Sequence, residues 1–325
     1  MDIDAKLRPL YLLQILQERT DEDNYLTTAQ LASILKQRYG MEPHRTTIKG
    51  DIEVLQQAGF GIDERRSTQN QYRYLEREFE IAELKTIIDA IASSKFIPEE
   101  KSDALIKKVT ALAGIYKAQD LKRNVVVDGR GKLENKQIFY IIDTINEAIN
   151  RHKKIRFRKI EYNVKKERVL HHGGEKYTFS PYSLVWDGDN YYVVGYSDKY
   201  ENIGSHRVDR IAEQPEILDE PAVPPKAGFS VEKYVKTTFR MYNAPRKEVE
   251  LLCDNGVMDA IIDQFGPDVH TYAGDLQNFR VIEEVAVGKV FFNWIFGFEG
   301  KVRIKAPADV KEQYRQMVEN AAKVL

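Results

Sequence analysis

Three charges crowd a stretch otherwise suited to a β-sheet: Arg207, Asp209 and Arg210, within His206 to Ile211. Charged side chains in such a place usually have a task. A second set, Arg45, Thr46, Thr47 and Lys49, falls on the exposed face of an amphipathic helical pattern, where donors of this kind contact phosphates and base edges. A third is a basic run. Between Arg151 and Arg168 stand nine Lys or Arg against only Glu161 and Glu167, with Ile155 and Phe157 alternating with Arg156 and Arg158 as in a half-buried strand that turns its bases outward. Such a run is either a solvated face or a surface for anions and nucleic acid.

Other chemistries lack their residues. Cys253 is the single cysteine, which excludes a disulfide framework or a Cys-based zinc site within one chain. His171 and His172 precede Gly173-Gly174 with no second ligand pair at metal spacing, so they read as loop residues. Gly129 and Gly131 lack the spacing and the Gly-Lys-Ser/Thr ending of a phosphate loop. No nucleophile-and-base spacing is visible, so the expectation is a protein that is not an enzyme and needs no metal or cofactor.

A chain of 325 residues is long for one core, and two or three domains are expected. With 42% hydrophobic and 30% charged residues it reads as soluble and globular, and a net charge of -1 means that any nucleic-acid surface is local. Asp2 and Asp4 open the chain without a signal pattern, and no run of about 18 apolar residues occurs, so the location expected is cytoplasmic with no membrane partner.

The elements that must position these side chains follow in order. Residues 7 to 17 read as a helix with Pro9 in its first turn. Thr27 and Gln30 form a capping box opening a second helix, closed by Gly40. A third begins near Pro43, buries Ile48, Ile52 and Leu55, and stops at Gly59. A polar-tipped hairpin follows over Ile62 to Leu75, with Arg65, Arg66 and Arg73 as phosphate-binding candidates. Three helices and a hairpin give the winged helix-turn-helix order, in which the third helix enters the major groove.

Helical periodicity returns from Phe79 to Ile115, with a second helix opening at Pro98. Val125 to Val127 and the DGRG after them read as a strand and turn. Another helix runs from Asn135 to Ala148. Tyr182 to Trp186 and Tyr191 to Tyr196, joined by Asp187-Gly188-Asp189-Asn190, form a hairpin, and His206 to Ile211 a third strand. The remainder reads strand, helix, two strands, helix, strand and helix, compatible with a ferredoxin-like unit.

On these residues the chain resembles the WYL-domain transcription regulators of bacteria. Tyr191-Tyr192-Val193 stands for the family's Trp-Tyr-Leu and is followed by Val194-Gly195-Tyr196. Pro181 to Val185 resembles the preceding strand, and His206-Arg207-Val208-Asp209-Arg210-Ile211 the closing Arg-Leu-Asp-Arg-Ile segment. Lys247 to Leu325 is similar to the carboxy-terminal extension of many such regulators. Two departures stand out: Tyr191 and Val193 replace Trp and Leu, and Gly50 replaces a second basic residue, at a cost of roughly 1 kcal/mol in helix propensity.

The resemblance implies an Sm-like, SH3-type β-barrel that senses a nucleic-acid or nucleotide effector, its pocket lined by Ser180, Tyr182, His206, Arg207 and Arg210. Guanidinium forks suit phosphate, tyrosine offers stacking or a hydroxyl, and Asp209 either orients an arginine or only closes the barrel in a salt bridge. The expected whole is an α+β multidomain chain: winged helix-turn-helix at 1–76, helical connector at 77–134, WYL domain at 135–225 and extension at 226–325. It would be a homodimeric regulator of a double-stranded DNA operator. The competing reading is a general single-strand nucleic-acid binder that uses the 151–168 strand and the barrel, with the helical domain serving assembly.

Overall fold

The computed structural model describes residues 3–66, 68–123 and 137–324. It divides into two compact units, Met1–Glu134 and Asn135–Leu325. The strand and turn expected at Val125 to Gly131 lie outside the described residues.

The first unit is led by helices: α1 (Ile3–Arg19), β1 (Leu26–Thr27), α2 (Thr28–Tyr39), α3 (Arg45–Gln57), β2 (Ile62–Arg65), β3 (Gln71–Tyr74), α4 (Ile81–Ser93), α5 (Glu99–Ala111) and α6 (Gly114–Arg123). Leu12, Ile15 and Leu16 of α1 pack with Leu31 and Leu35 of α2 and with Ile48, Ile52 and Leu55 of α3. Tyr72 of β3 completes this core. The Thr27–Gln30 capping box forms, and Gly40 ends α2 in the left-handed region. β1 and β2 flank β3 in one antiparallel sheet.

Two expectations need correcting here. α1 begins at Ile3, so Pro9 lies inside the helix and cannot donate to the carbonyl four residues back. The periodicity after Phe79 also holds a third helix, α6, whose Leu121 closes a small core with Leu84, Ile88 and Ala113.

The second unit comprises α7 (Ile138–Asn150), β4 (Lys153–Arg158), β5 (Ile160–Tyr162), β6 (Arg168–Leu170), β7 (Lys176–Asp187), β8 (Asn190–Ser197), β9 (Asn202–Arg207) and β10 (Glu216–Pro221), followed by α8 (Val231–Lys236), β11 (Arg246–Asp254), α9 (Met258–Phe265), β12 (Thr271–Ala273), β13 (Asn278–Ala286), α10 (Lys289–Phe296), β14 (Val302–Ala306) and α11 (Ala308–Ala322). Its first sheet is antiparallel, in the order β10-β4-β7-β8-β9. α7 lies on that sheet through Ile138, Ile141 and Ile145, all without exposed surface. From β11 on, the elements keep the order read from the sequence, with strands arranged β12-β13-β11-β14. Cys253 is buried in that second core, where desolvation pushes its thiol up to about 12 and leaves it inert.

The run His206 to Ile211 is not one strand. β9 ends at Arg207, and Val208–Arg210 form a turn of 3-10 helix. Val208 and Ile211 are both buried with no exposed surface, so the chain must turn to bury them on either side of Asp209.

Pairing of β7 with β8 depends on Gly195. A Cβ there would stand 2.1 Å from the Ser180 carbonyl oxygen and 2.7 Å from the Phe179 ring. At Gly50, in α3, a Cβ would meet nothing within 4 Å. Gly195→Ala should therefore destabilise the second unit by about 2 kcal/mol through forced overpacking. Gly50→Ala should stabilise the first by about 1 kcal/mol through helix propensity. Urea denaturation of the full chain, followed by circular dichroism, checks both signs.

Candidate ligand cleft and nucleic-acid face

In the first unit α3 turns Ile48, Ile52 and Leu55 inward and leaves Arg45, Thr46 and Lys49 exposed, with Thr47 half-buried. His44 caps the helix through Nδ1, and the same atom lies 2.9 Å from the Thr46 hydroxyl oxygen. Lys49 stands 3.7 Å from Glu53, an exposed pair worth little in water. Asp51, which offsets the bases on paper, is occupied elsewhere: its carboxylate receives Arg8 of α1 and so fastens that helix to α3.

The three hairpin arginines differ. Arg65 is exposed. Arg66 is exposed and reaches only 3.6 Å from Glu64. Arg73 is committed: it donates to Asp63 at 2.8 Å and to the Glu22 carbonyl, and it lies 4.4 Å over the Tyr25 ring. It holds the hairpin to the preceding loop, a role that the sequence did not indicate.

In the second unit a cleft of about 1550 Å³ opens beside β9, walled on one side by the β8–β9 face and on the other by the segment from Val223 to Arg246. Tyr182, His206, Arg207 and Arg210 all line it. Ser180 does not. It is fully buried, and its hydroxyl oxygen accepts the Val223 amide at 3.0 Å, which ties β7 to the opposite wall.

Arg207 grips Asp209 with two parallel bonds, Nε to Oδ1 at 3.0 Å and Nη2 to Oδ2 at 2.8 Å. This charge-assisted pair holds the guanidinium above its usual range, and Arg210 Nε stands 3.7 Å from the same carboxylate. Arg210 also lies 4.7 Å over the Tyr162 ring. Two guanidiniums therefore share one carboxylate, and the group keeps a net positive charge facing the cleft.

His206 is packed edge-on against Phe179 at 4.8 Å and Phe157 at 5.3 Å. Burial pushes its pKa down to about 3, helped by the charge on Lys159, so the ring is neutral. Burial also raises the Tyr182 and Tyr192 phenols, keeping both hydroxyls as donors. The cleft thus combines fixed cations, neutral donors and ring faces, the chemistry that holds a phosphate-bearing aromatic ligand.

Of the basic run, Lys154 is bound by Asp198 at 2.8 Å and Glu220 at 3.1 Å, Arg156 by Glu216 at 2.9 Å and Arg158 by Glu213 at 2.8 Å. Glu213, Glu216 and Glu220 come from the chain around β10, and Asp198 follows β8 directly. Lys159 is different: it lines the cleft. Sequence reasoning also missed the far wall, where Lys226, Phe229, Lys233, Tyr234, Arg240 and Arg246 face the same space. Their only signal was a basic and aromatic bias across a segment without regular periodicity.

No group of three or more His, Cys, Asp or Glu able to hold a metal occurs among the described residues, and no helix there is long and apolar enough to cross a membrane.

No curated protein matches the chain at a significant level. Among solved structures it resembles the proteasome accessory factor B/C (PafBC) of Arthrobacter aurescens, with 15% identity and a TM-score of 0.29 over 98% of this chain and 46% of that one. The chain thus spans less than half of that protein's length. It also resembles a CRISPR Cas-related protein, with 14% identity and a TM-score of 0.37 over 99% of this chain and 83% of that one. Both scores are too low to transfer an arrangement from either protein. The family profile for the WYL domain matches residues 140–216, from α7 to the start of β10, and so takes in the β8–β9 wall of the cleft. Residues 140–216 of the chain are therefore a WYL domain.

Proposed function

We propose that the protein is a DNA-binding transcription regulator whose WYL domain senses an anionic effector of nucleic-acid or nucleotide type. The observation that carries the DNA-binding half is the free outer face of α3. Helix, short strand, two helices and hairpin follow in winged-helix order, and the last of these helices presents Arg45, Thr46 and Lys49 to solvent. Arg65 and Arg66 extend that face along the hairpin; Arg73 holds the hairpin in place.

The cleft carries the sensing half. Its net positive Arg207–Asp209–Arg210 group, neutral His206 and Tyr182 suit phosphate together with a base. On this reading residues 1–76 are the winged helix, 77–134 the connector, 135–225 the sensor on an Sm-like barrel and 226–325 a ferredoxin-like extension. The regulator acts as a homodimer on paired half-sites, and its effector changes their engagement. The reading as a general single-strand binder through residues 151–168 has less support, because Lys154, Arg156 and Arg158 already hold carboxylates.

Shift assays on duplex DNA from upstream of the protein's own gene and its neighbours test the first half. Binding that stays sequence-independent at every salt concentration would sink it. Replacing Arg45 or Lys49 with Ala should weaken operator binding several-fold, and loss of a phosphate contact should reduce the salt slope by about 1.

The second half is tested by adding single-stranded oligonucleotides or nucleotides to the protein–operator complex. Arg207→Ala and Arg210→Ala should chiefly abolish the change in operator affinity that the added ligand causes. An undiminished response in both variants would place the sensor elsewhere.

A further inference from the structure

Lys159 differs from Lys154, Arg156 and Arg158, each of which holds a carboxylate. It follows β4 directly, pairs with Ile211 in an isolated bridge beside Arg210, and lines the cleft. Its ammonium is partly buried and lies 4.3 Å over the Tyr177 ring. Among the described residues it has no ion-pair partner within 4.0 Å. The neighbouring Lys199 does: Glu175 holds it with both oxygens at 2.7 Å.

The charged and titratable groups around Lys159 are Lys199, Glu175, Glu161, His171 and His206. Desolvation, then the charge on Lys199, lowers the amine below its usual range despite Glu175 and Glu161. A partly buried cation without a counter-charge is costly, and a bound anion would remove that cost.

The imidazoles of His171 and His206 line the cleft beside this amine, and His171 Nε2 stands 3.9 Å from Glu161. His171 donates its backbone amide to the Lys159 carbonyl at 2.8 Å, and its Nδ1 lies 3.0 Å from the Tyr177 hydroxyl. His206 lies between Tyr177 and Phe179. Lys159, His171 and His206 thus all line the cleft, and the buried Tyr177 ring packs against all three. An ammonium is a compact point charge with three donors, whereas the guanidiniums of Arg207 and Arg210 present planar forks. The fork suits a diester along a chain. The point charge suits the denser charge of a terminal phosphate.

We propose that Lys159, with His171 and His206 beside it, forms a subsite for a terminal phosphate monoester, so that the effector is recognised by its phosphorylated end as well as along its length. The subsite rests on the effector reading given above and narrows it to ligands with a free phosphate end.

The test is binding of three labelled oligothymidylates of equal length to the full chain, with a 5′-phosphate, a 3′-phosphate or hydroxyls at both ends, followed by fluorescence anisotropy. Wild-type protein should bind one phosphorylated form about tenfold more tightly than the hydroxyl form, the size of one charge-assisted contact. The end that is preferred gives the direction of the strand in the cleft. In Lys159→Met this ratio should fall to about one, and Lys159→Arg should recover part of it.

The melting temperature of ligand-free Lys159→Met should equal or exceed that of wild type, since a poorly compensated charge has been removed. Equal wild-type binding of all three oligonucleotides overturns the subsite, as does an end preference that survives in Lys159→Met. A Lys159→Met variant that melts well below wild type would make the lysine a structural cation on Tyr177 and also overturn it. Wild-type protein that binds none of the three would instead remove the nucleic-acid effector reading on which the subsite rests.

Discussion

The carboxylate of Asp209, with 5% of its side chain exposed, is the constraint on which the cleft depends. A buried carboxylate is tolerated only with hydrogen-bonded counter-charge, and Arg207 supplies it through both oxygens. To bring Asp209 back onto Arg207, the chain must leave the extended conformation, which is why β9 ends there and a 3-10 turn begins. That turn places Arg210 beside the same carboxylate and over Tyr162. Removing Asp209 would leave two guanidiniums with no common anchor. The salt bridge therefore closes the turn and holds both cations beside one carboxylate.

The distribution of counter-charge divides the basic run as well. Lys154, Arg156 and Arg158 alternate along β4 and meet Asp198, Glu220, Glu216 and Glu213 across the sheet edge. Pairs of this exposure contribute little stability, yet they cancel the field that a row of bare cations would create. One residue further on, the strand ends and Lys159 turns into the cleft without such a partner. Periodicity along a strand reports which face a side chain takes. It does not report which carboxylate comes opposite, because that is decided some 60 residues later in the chain.

Local signals were legible for this reason and tertiary ones were not. The Thr27–Gln30 box, the Gly40 stop, Pro98 ahead of Glu99 and Glu100, and the hairpin around Gly188 each rest on residues a few positions apart. Tyr182, His206, Arg207 and Arg210 line one cleft. Ser180 stands at the right place in the pattern but faces away, because Pro181 and the bulge after it shift the register of β7 and give the hydroxyl to Val223. For Arg73 the sequence gives the charge and not the partner, Asp63. The wall from Val223 to Arg246 has no periodic pattern at all, and only folding brings it against β9.

That wall is fastened in a way that matters for the cleft. The Asn243 side chain accepts the Ser205 amide at 3.0 Å and donates to the Ser205 carbonyl at 2.9 Å, as a neighbouring strand residue would. The Ser205 hydroxyl adds a bond to the Met241 carbonyl at 3.0 Å, and Met241 itself packs with Tyr192, Val194 and Tyr234. Arg240 and Met241 both hold left-handed backbone, at φ 47° and 53°, which costs each about 1–2 kcal/mol. A strained turn persists only where its surroundings over-determine it, and here the surroundings are the edge of β9 and the core beneath it. The strain has a geometric result: it buries Met241 while turning the next side chain back, Arg240, out along the cleft. The same few bonds thus cap an otherwise open strand edge and set cations on both sides of the cleft, so the cleft exists only when the WYL sheet and the chain that follows it are folded together.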